Sequence, residues 1–437
     1  MSLYHDTLQL LQEMIRNACV NDGTPDSGGE VRNAESLAKF FEGTDVKVQR
    51  FEPHPGRVSI AFTVEGSDPD AEPLTLLGHT DVVPVDHTKW TVAPFGAEIR
   101  DEKIYGRGAV DMLFITATMA AVTREAAKRG TRGTLTMVGL ADEEARAGLG
   151  AGWIHQNAPD AFSWKNCLSE TGGSHIPGRD GSDTIVVNVG ENGAAQRRLT
   201  VSGDAGHGST PYGRDSAIVK IGEVARRISL AHRPMIDDRS WQIFVKAFRF
   251  DEELNESLMR GEGDFHEFGD LASFADAFSH TTIAQTIVRA GSAINVLPST
   301  ASLDLDIRQP TGVSQEDVDA MLTEALGDMA DQVTITHLLT EPATVSAPEG
   351  PLWDAIVETY GEFYPDSDVI PIFSTGGSDL RFARYAGGKG FGFALHARER
   401  SLAAAHSQLH SHDEHLHLED LNLTVRAYDS LIRKFVG

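Results

Sequence analysis

The sequence predicts an α/β fold, a mixed or parallel sheet flanked by helices, followed by a smaller sheet with one wet face. Three observations predict it. From residue 75 to about 188 short apolar runs alternate with helical segments, as when strands feed helices. After Gly190 the pattern changes to strands with strict apolar/polar alternation. The length, 437 residues, exceeds what a single core usually holds, so two domains are expected.

Taken in order, residues 1–20 carry leucines at helical spacing among Asp6, Gln12, Glu13 and Arg16, which reads as a surface helix. Leu74, Leu76 and Leu77 form the first strand run, and Leu135, Met137, Val138 and Leu140 a second. Between them Leu113, Ile115, Met119, Val122 and Ala126 recur at three- and four-residue steps, predicting an amphipathic helix over 112–128. Further on, 197–203 reads as a strand, 216–227 as a helix and 301–308 as an alternating strand. In that strand Ala301, Leu303, Leu305 and Ile307 share one face, and Ser302, Asp304, Asp306 and Arg308 the other. Residues 234–280, acidic and rich in Phe, read as an insertion of mixed structure without an assigned role. Helix–strand alternation resumes with 315–330, 333–339 and 351–364, and a helix over 420–435 closes the chain.

Composition excludes several function classes. With 38 Lys+Arg against 64 Asp+Glu the net charge is −26, which argues against nucleic acid or an anionic membrane as partner. Residues 1–20 lack the apolar centre of a secretory signal, and the most apolar long stretch, 109–122, is too short to span a bilayer. The two cysteines, Cys19 and Cys167, are far apart and give no disulfide framework. A cytoplasmic protein is expected.

The residues that carry chemistry cluster where strands end. His79-Thr80-Asp81 follows the first apolar run, at the carboxyl end of a strand, where open α/β sheets place their ligands. Asp111 stands just ahead of the 112–128 helix after the glycine-rich Gly106-Arg107-Gly108, and its bland reading is a helix N-cap. Asp142-Glu143-Glu144 closes the second strand run, where it could be a solvated acidic loop. His79 to Asp111 and Asp111 to Glu143 are both 32 residues, about one βαβ unit, so successive strand ends can bring these groups to one edge. Glu170 follows another apolar run, and His406, His410, His412, His415 and His417 crowd near the C-terminus, where a surface metal-binding tract is the alternative. His79, Asp111, Glu144, Glu170 and one of those histidines are too many donors for a single zinc and suit two metals if Asp111 bridges them. Three carboxylates and a bridging hydroxide also match a pair of divalent cations in charge. Glu143 is left over as a free base.

His79-Thr80-Asp81-Val82-Val83-Pro84, Trp90, Pro94-Phe95 and Tyr105-Gly106-Arg107-Gly108-Ala109-Val110-Asp111-Met112 resemble the M20 family of metallopeptidases. The likeness continues in order through Asp142-Glu143-Glu144, Gly206-His207-Gly208-Ser209-Thr210-Pro211, Asn295-Val296-Leu297-Pro298 and Gly376-Gly377-Ser378-Asp379-Leu380-Arg381-Phe382. The resemblance implies a zinc-peptidase-like catalytic domain at 1–190 and 310–437, split by a lid or dimerisation domain at 191–309 that carries the 234–280 insertion. It implies two divalent ions per chain, zinc first and cobalt or manganese next, with His79, Asp111 and Glu170 holding one and Asp111, Glu144 and His410 the other. His410 is chosen because His410-Ser411-His412-Asp413-Glu414 fits the family's His-x-x-Asp/Asn-Glu spacing. Asp81 would orient His79, and Glu143 would take a proton from a metal-bridging water and pass it to the leaving amine. In a homodimer joined through the lid, His207 would reach the neighbouring subunit's site. Arg381, Asn295 and Arg308 would face the substrate.

The expected activity is hydrolysis of an amide bond, peptide or N-acyl, in a small or dipeptide-like substrate with a free carboxylate. Glu170, rather than Asp, resembles the carboxypeptidase and deacylase members. Leu113-Phe114 stand where Lys-Gly is common, and Asp215 where Asn is usual, which leaves the subfamily open. The alternatives are a biosynthetic deacylase such as a succinyl-diaminopimelate desuccinylase, and a non-catalytic metal-binding homologue.

Overall fold

A computed structural model describes residues 2–236 and 239–437. Met1, within the 1–20 helix reading, and Asp237 and Asp238, within the 234–280 reading, lie outside the described residues.

The larger sheet has six strands in the order Lys47–His54, Arg57–Val64, Leu135–Leu140, Leu74–His79, Asn166–Ser169, Lys389–Gly392. The last four run parallel, and Arg57–Val64 pairs antiparallel with both of its neighbours. Leu74–His79 and Leu135–Leu140 are buried along their whole length, as expected of central strands covered on both faces. One face is covered by Leu3–Arg16, Leu113–Arg129 and Leu418–Phe435, which pack on one another.

The helix expected to be amphipathic is not. Twelve of the 17 residues of Leu113–Arg129 are buried, because the sheet lies on one side and two helices on the other. A helix apolar all round is what a central position requires.

The smaller sheet is antiparallel, ordered Thr282–Ala290, Thr300–Gln309, Gly193–Ser202, Val333–Glu341. Ala301, Leu303, Leu305 and Ile307 pack with helices Ala217–Ile228 and Gln315–Leu326 into a separate core, as the alternation predicts. This sheet does not end at residue 309: Val333–Glu341 pairs with Gly193–Ser202, so the 315–341 stretch, expected with the larger sheet, belongs to the smaller one.

Residues 239–279 also depart from expectation. They are helical, with Arg239–Ala247, Glu252–Met259 and Ala272–Ser279 as α-helices, and Met235 and His280 form a bridge at the base. Trp241, Phe244 and Phe278 join the core of the larger sheet rather than that of the smaller one, and Phe278 stacks on Phe373 of strand Asp368–Ser374 at 5.3 Å. Asp251 caps the second helix through the Leu254 amide.

Candidate active site

Parallel strands end on the same edge, and this is what assembles the site. His79 is the last residue of its strand, Glu170 follows Asn166–Ser169, and Glu143 and Glu144 open a short 3₁₀ turn after Leu135–Leu140. Asp111 arrives from the turn that precedes the central helix. Gly108 permits that turn, with φ +84° and a position where a Cβ would lie 2.5 Å from Val82. The helix is capped by Met112 without a side-chain bond, so the Asp111 carboxylate is not spent as an N-cap.

His79 Nε2 lies 3.1 Å from Asp111 Oδ1 and 3.7 Å from Glu170 Oε2. His410 Nε2 lies 3.3 Å from Asp111 Oδ2 and 3.3 Å from Glu144 Oε2. Two sets of donors therefore converge, His79/Asp111/Glu170 and Asp111/Glu144/His410, each within 4.8 Å, and Asp111 gives one oxygen to each. These are the five residues that the resemblance assigns to two metals, and the structure brings them together.

The donor set fits a pair of cations. Among the described residues no Lys or Arg pairs with Asp111, Glu143, Glu144 or Glu170, and Glu144 Oε1 is buried without a hydrogen-bond partner. Burial, and next the charge of Asp111, pushes Glu170 up to about 8. Burial and then Glu170 drive Glu143 well above the carboxylate range. Hydrogen bonds to Asp111 and Glu144 push His410 up to about 10. Burial works to raise Asp111, but the bonds from His410 and His79 outweigh it and hold its carboxyl far below the usual range. Such a cluster lacks positive charge, and two divalent ions would supply it.

The surrounding residues fix the donors. Asp81 does so differently from expectation: the His79 Nδ1 bond, 3.0 Å, goes to its backbone carbonyl, and the carboxylate Oδ1 is 3.6 Å away. That carboxylate instead accepts the Glu143 and Glu144 amides at 3.3 and 3.2 Å and the Asn21 amide at 2.8 Å, so it holds the turn that presents both glutamates. Asp142 turns inward to Arg57 at 2.6 Å. Buried Glu414 accepts from Arg107 at 2.6 Å and from the Val110 and Asp111 amides at 2.7 and 3.2 Å, while Arg107 also donates to the His410 carbonyl at 3.2 Å. One carboxylate thereby ties Asp111 to His410. Asp142 and His410 take positive backbone angles, φ 68° and 55°, strain of about 1–3 kcal/mol each that this bonding sustains.

A cavity of about 510 Å³ opens on this edge, lined by Asp111, Glu143, Glu144, Glu170 and His410. The Glu143 side-chain carboxylate, which lines this cavity, accepts no hydrogen bond from protein among the described residues, as befits a free base. Arg381 lines the cavity, nearly buried, with Nη2 unpartnered. Gly377 leaves it room, since a Cβ there would lie 2.6 Å from Nη1. Arg308 lines the cavity too, but is bound to Asp306 at 3.1 Å. His207 and Asn295 do not join the site: both are exposed on the smaller unit, the first bonded to Ser209 at 2.7 Å, the second accepting the Gly208 amide at 2.7 Å. Residue-by-residue reading missed Arg146, which lines the cavity and pairs with Glu341 at 2.7 Å, and Glu414, whose only signal was its place after His410.

Comparison with known proteins agrees with this geometry. The model of Peptidase family M20/M25/M40 matches residues 75–434. Over 99% of its length the chain is 25% identical to a succinyl-diaminopimelate desuccinylase of Parvibaculum lavamentivorans, covering 96% of that protein. It is 26% identical to human aminoacylase-1, over 94% of this chain and 91% of that one. The crystal structure of an M20 family metallo-carboxypeptidase, Sso-CP2 from Sulfolobus solfataricus, superposes with a TM-score of 0.72 at 16% identity, covering 98% of this chain and 99% of that one.

Proposed function

The chain belongs to peptidase family M20/M25/M40 and carries the paired metal-binding clusters of a metal-dependent hydrolase, and from that premise we propose that it hydrolyses the amide bond of N-acyl amino acids or dipeptides with a free carboxylate. The observation that carries the reading is one cavity lined by donors of both clusters, by an unengaged Glu143 carboxylate and by Arg381, one nitrogen of which is unpartnered. His79, Asp111, Glu170, Glu144 and His410 would hold two divalent ions, zinc before cobalt or manganese. Such ions, when bound, polarise the scissile carbonyl and ease deprotonation of water.

The chain's own residues supply the rest. Glu143 takes a proton from the attacking water and delivers it to the leaving amine, work for which its unengaged carboxylate in the cavity suits it. Arg381 receives the substrate carboxylate, replacing its weak 3.7 Å contact with Glu341 by a charge-assisted bond. Asp81 positions the turn of Glu143 and Glu144.

A homodimer fits the smaller sheet. Its edge strand Thr282–Ala290 exposes Ile287 and Val288, and the neighbouring helix exposes Ile218 and Val219, which a second copy would cover. His207, remote from its own cavity lining, would then serve the partner's site as a donor to the oxygen that gains charge. Refolding Glu143→Ala with His207→Ala should restore part of the activity that each lacks; silent mixed dimers would refute action in trans. The buried, unbridged Cys19 and Cys167 suit a reducing compartment, and among the described residues no helix is long and apolar enough to cross a membrane.

The test is a panel of N-acyl amino acids, dipeptides and succinyl-diaminopimelate, assayed with added zinc, cobalt or manganese. Cleavage of free acids, with amidated counterparts resisting, is expected; a panel untouched under every metal refutes the reading. Preference for succinyl-diaminopimelate would favour the desuccinylase alternative, which likeness over nearly the full length supports.

A further inference from the structure

The helical segment at 239–279 has no part in the chemistry so far, yet one of its side chains reaches the cavity. Trp241, Phe244, Phe248, Phe268 and Phe278 pack as a ring cluster against the main core. Phe274 belongs to that cluster, 5.8 Å from Phe244 and 6.1 Å from Phe278, but it also lines the cavity and meets the His406 ring edge-on at 5.6 Å.

Facing the same space are Leu402, Ala405 and Leu409, at helical steps along and just beyond Leu402–Gln408, together with Ile372 and Phe373. This stretch of wall carries no Lys, Arg, Asp or Glu. The charged lining, Arg146, Arg308 and Arg381 with the acidic donors, lies elsewhere in the same cavity. Leu409 directly precedes His410, so the apolar wall starts at the metal cluster, where the scissile carbonyl must sit. The chain attached to that carbonyl carbon is the acyl group.

Resting on the amide-hydrolase reading above, we infer that residues 239–279 complete a subsite for an apolar acyl group, with Phe274 as its specificity-determining side chain. The guanidinium end takes the carboxylate, and the Phe274 wall takes the half of the amide that lacks it. The volume, about 510 Å³, suits a small ligand of this composition, apolar with a few polar anchors. A succinyl group, which would carry a second carboxylate into this wall, fits it poorly.

The experiment compares kcat/KM for acetyl, butanoyl, hexanoyl and octanoyl derivatives of one amino acid, and for acetyl derivatives of amino acids of increasing side-chain length. Each methylene added to the acyl chain should raise kcat/KM roughly threefold to fourfold until the wall is filled, the side-chain series staying comparatively flat. Phe274→Ala, and separately Ala405→Phe, which fills the space from the other side, should each lower the hexanoyl-to-acetyl ratio about tenfold. A ratio is insensitive to the fraction of folded enzyme, so a destabilised Phe274→Ala still reports. Cleavage of acetyl substrates with no gain along the acyl series, a gain along the side-chain series instead, or unchanged ratios in both variants would overturn the subsite while leaving the hydrolase reading intact. Failure to cleave any N-acyl amino acid in the metal-loaded enzyme would overturn the substrate class and the subsite together.

Discussion

Two groups of carboxylates, one on the smaller sheet and one at the edge of the larger, are treated in opposite ways. On the smaller sheet Asp304 faces Arg198 directly across the strand pair, bound at 2.6 and 2.8 Å, and accepts a third bond from Arg289 at 2.6 Å. Arg198 foremost, with Arg289 adding to it against a little burial, holds its carboxyl at about 2. At the larger sheet's edge Glu143, Glu144 and Glu170 are crowded around Asp111, among the described residues no Lys or Arg pairs with them, and burial raises all three. The first arrangement stabilises the fold. The second costs stability unless cations arrive from outside, and a fold keeps such an arrangement for chemistry.

The comparison can be broken most sharply at Glu143. Glu143→Ala should lower kcat by about two to four orders of magnitude while the metal content stays unchanged; retained activity, or lost metal, would mean that this acid is a ligand or a bystander. Arg381→Ala comes next, with an expected loss of about 2–5 kcal/mol in binding a free-acid substrate and little change for its amide. Equal losses for both would detach Arg381 from the carboxylate.

Stability against pH sharpens the contrast further. Glu170 has a folded pKa of about 8, above its ordinary value, so its contribution to the apoprotein is present below about 4.5 and is lost as pH rises through 8. Glu170→Gln should therefore flatten this slope and stabilise the metal-free protein at pH 8 by on the order of a few kcal/mol. Asp304 is the reverse. Its stabilisation is present above about 4 and is lost as pH falls through about 2. Asp304→Asn should destabilise by about 1–2 kcal/mol at neutral pH, because its arginines are partly solvated, and leave kcat unchanged. Denaturant titrations of the apoprotein measure both; a destabilised Glu170→Gln would undo the comparison.

Much of this was legible in the sequence for a local reason. His79, Glu143, Glu144 and Glu170 follow apolar runs and Asp111 precedes one, so the end of a parallel strand could be located without knowing the sheet order, and the equal spacings of His79, Asp111 and Glu143 pointed to one edge, while His410 was legible only through the family motif. The alternation in 301–308 likewise set the smaller sheet and its single covered face. What escaped depends on long-range packing. The central helix read as amphipathic from the three- and four-residue steps of Leu113, Ile115, Met119, Val122 and Ala126, yet the threonines between them, Thr116, Thr118 and Thr123, are buried too, and Thr116 and Thr118 bond backbone carbonyls. The 234–280 stretch read only as a Phe-rich insertion of mixed structure, because nothing local says that Phe278 stacks on Phe373 and draws its rings into the core of the larger sheet. The resemblance implies that Asp81 orients His79; its backbone carbonyl bonds that ring, whereas its carboxylate serves a turn some 60 residues away.

Whether Asp111 is shared between two bound ions is read most directly from metal content. Apoprotein titrated with zinc and followed by calorimetry and elemental analysis should take up two ions per chain. Glu170→Ala and His410→Ala should each keep one tightly bound ion, and Asp111→Asn should hold neither tightly. A wild-type chain that binds a single ion, or an Asp111→Asn chain that still binds two with unchanged affinity, would contradict such sharing.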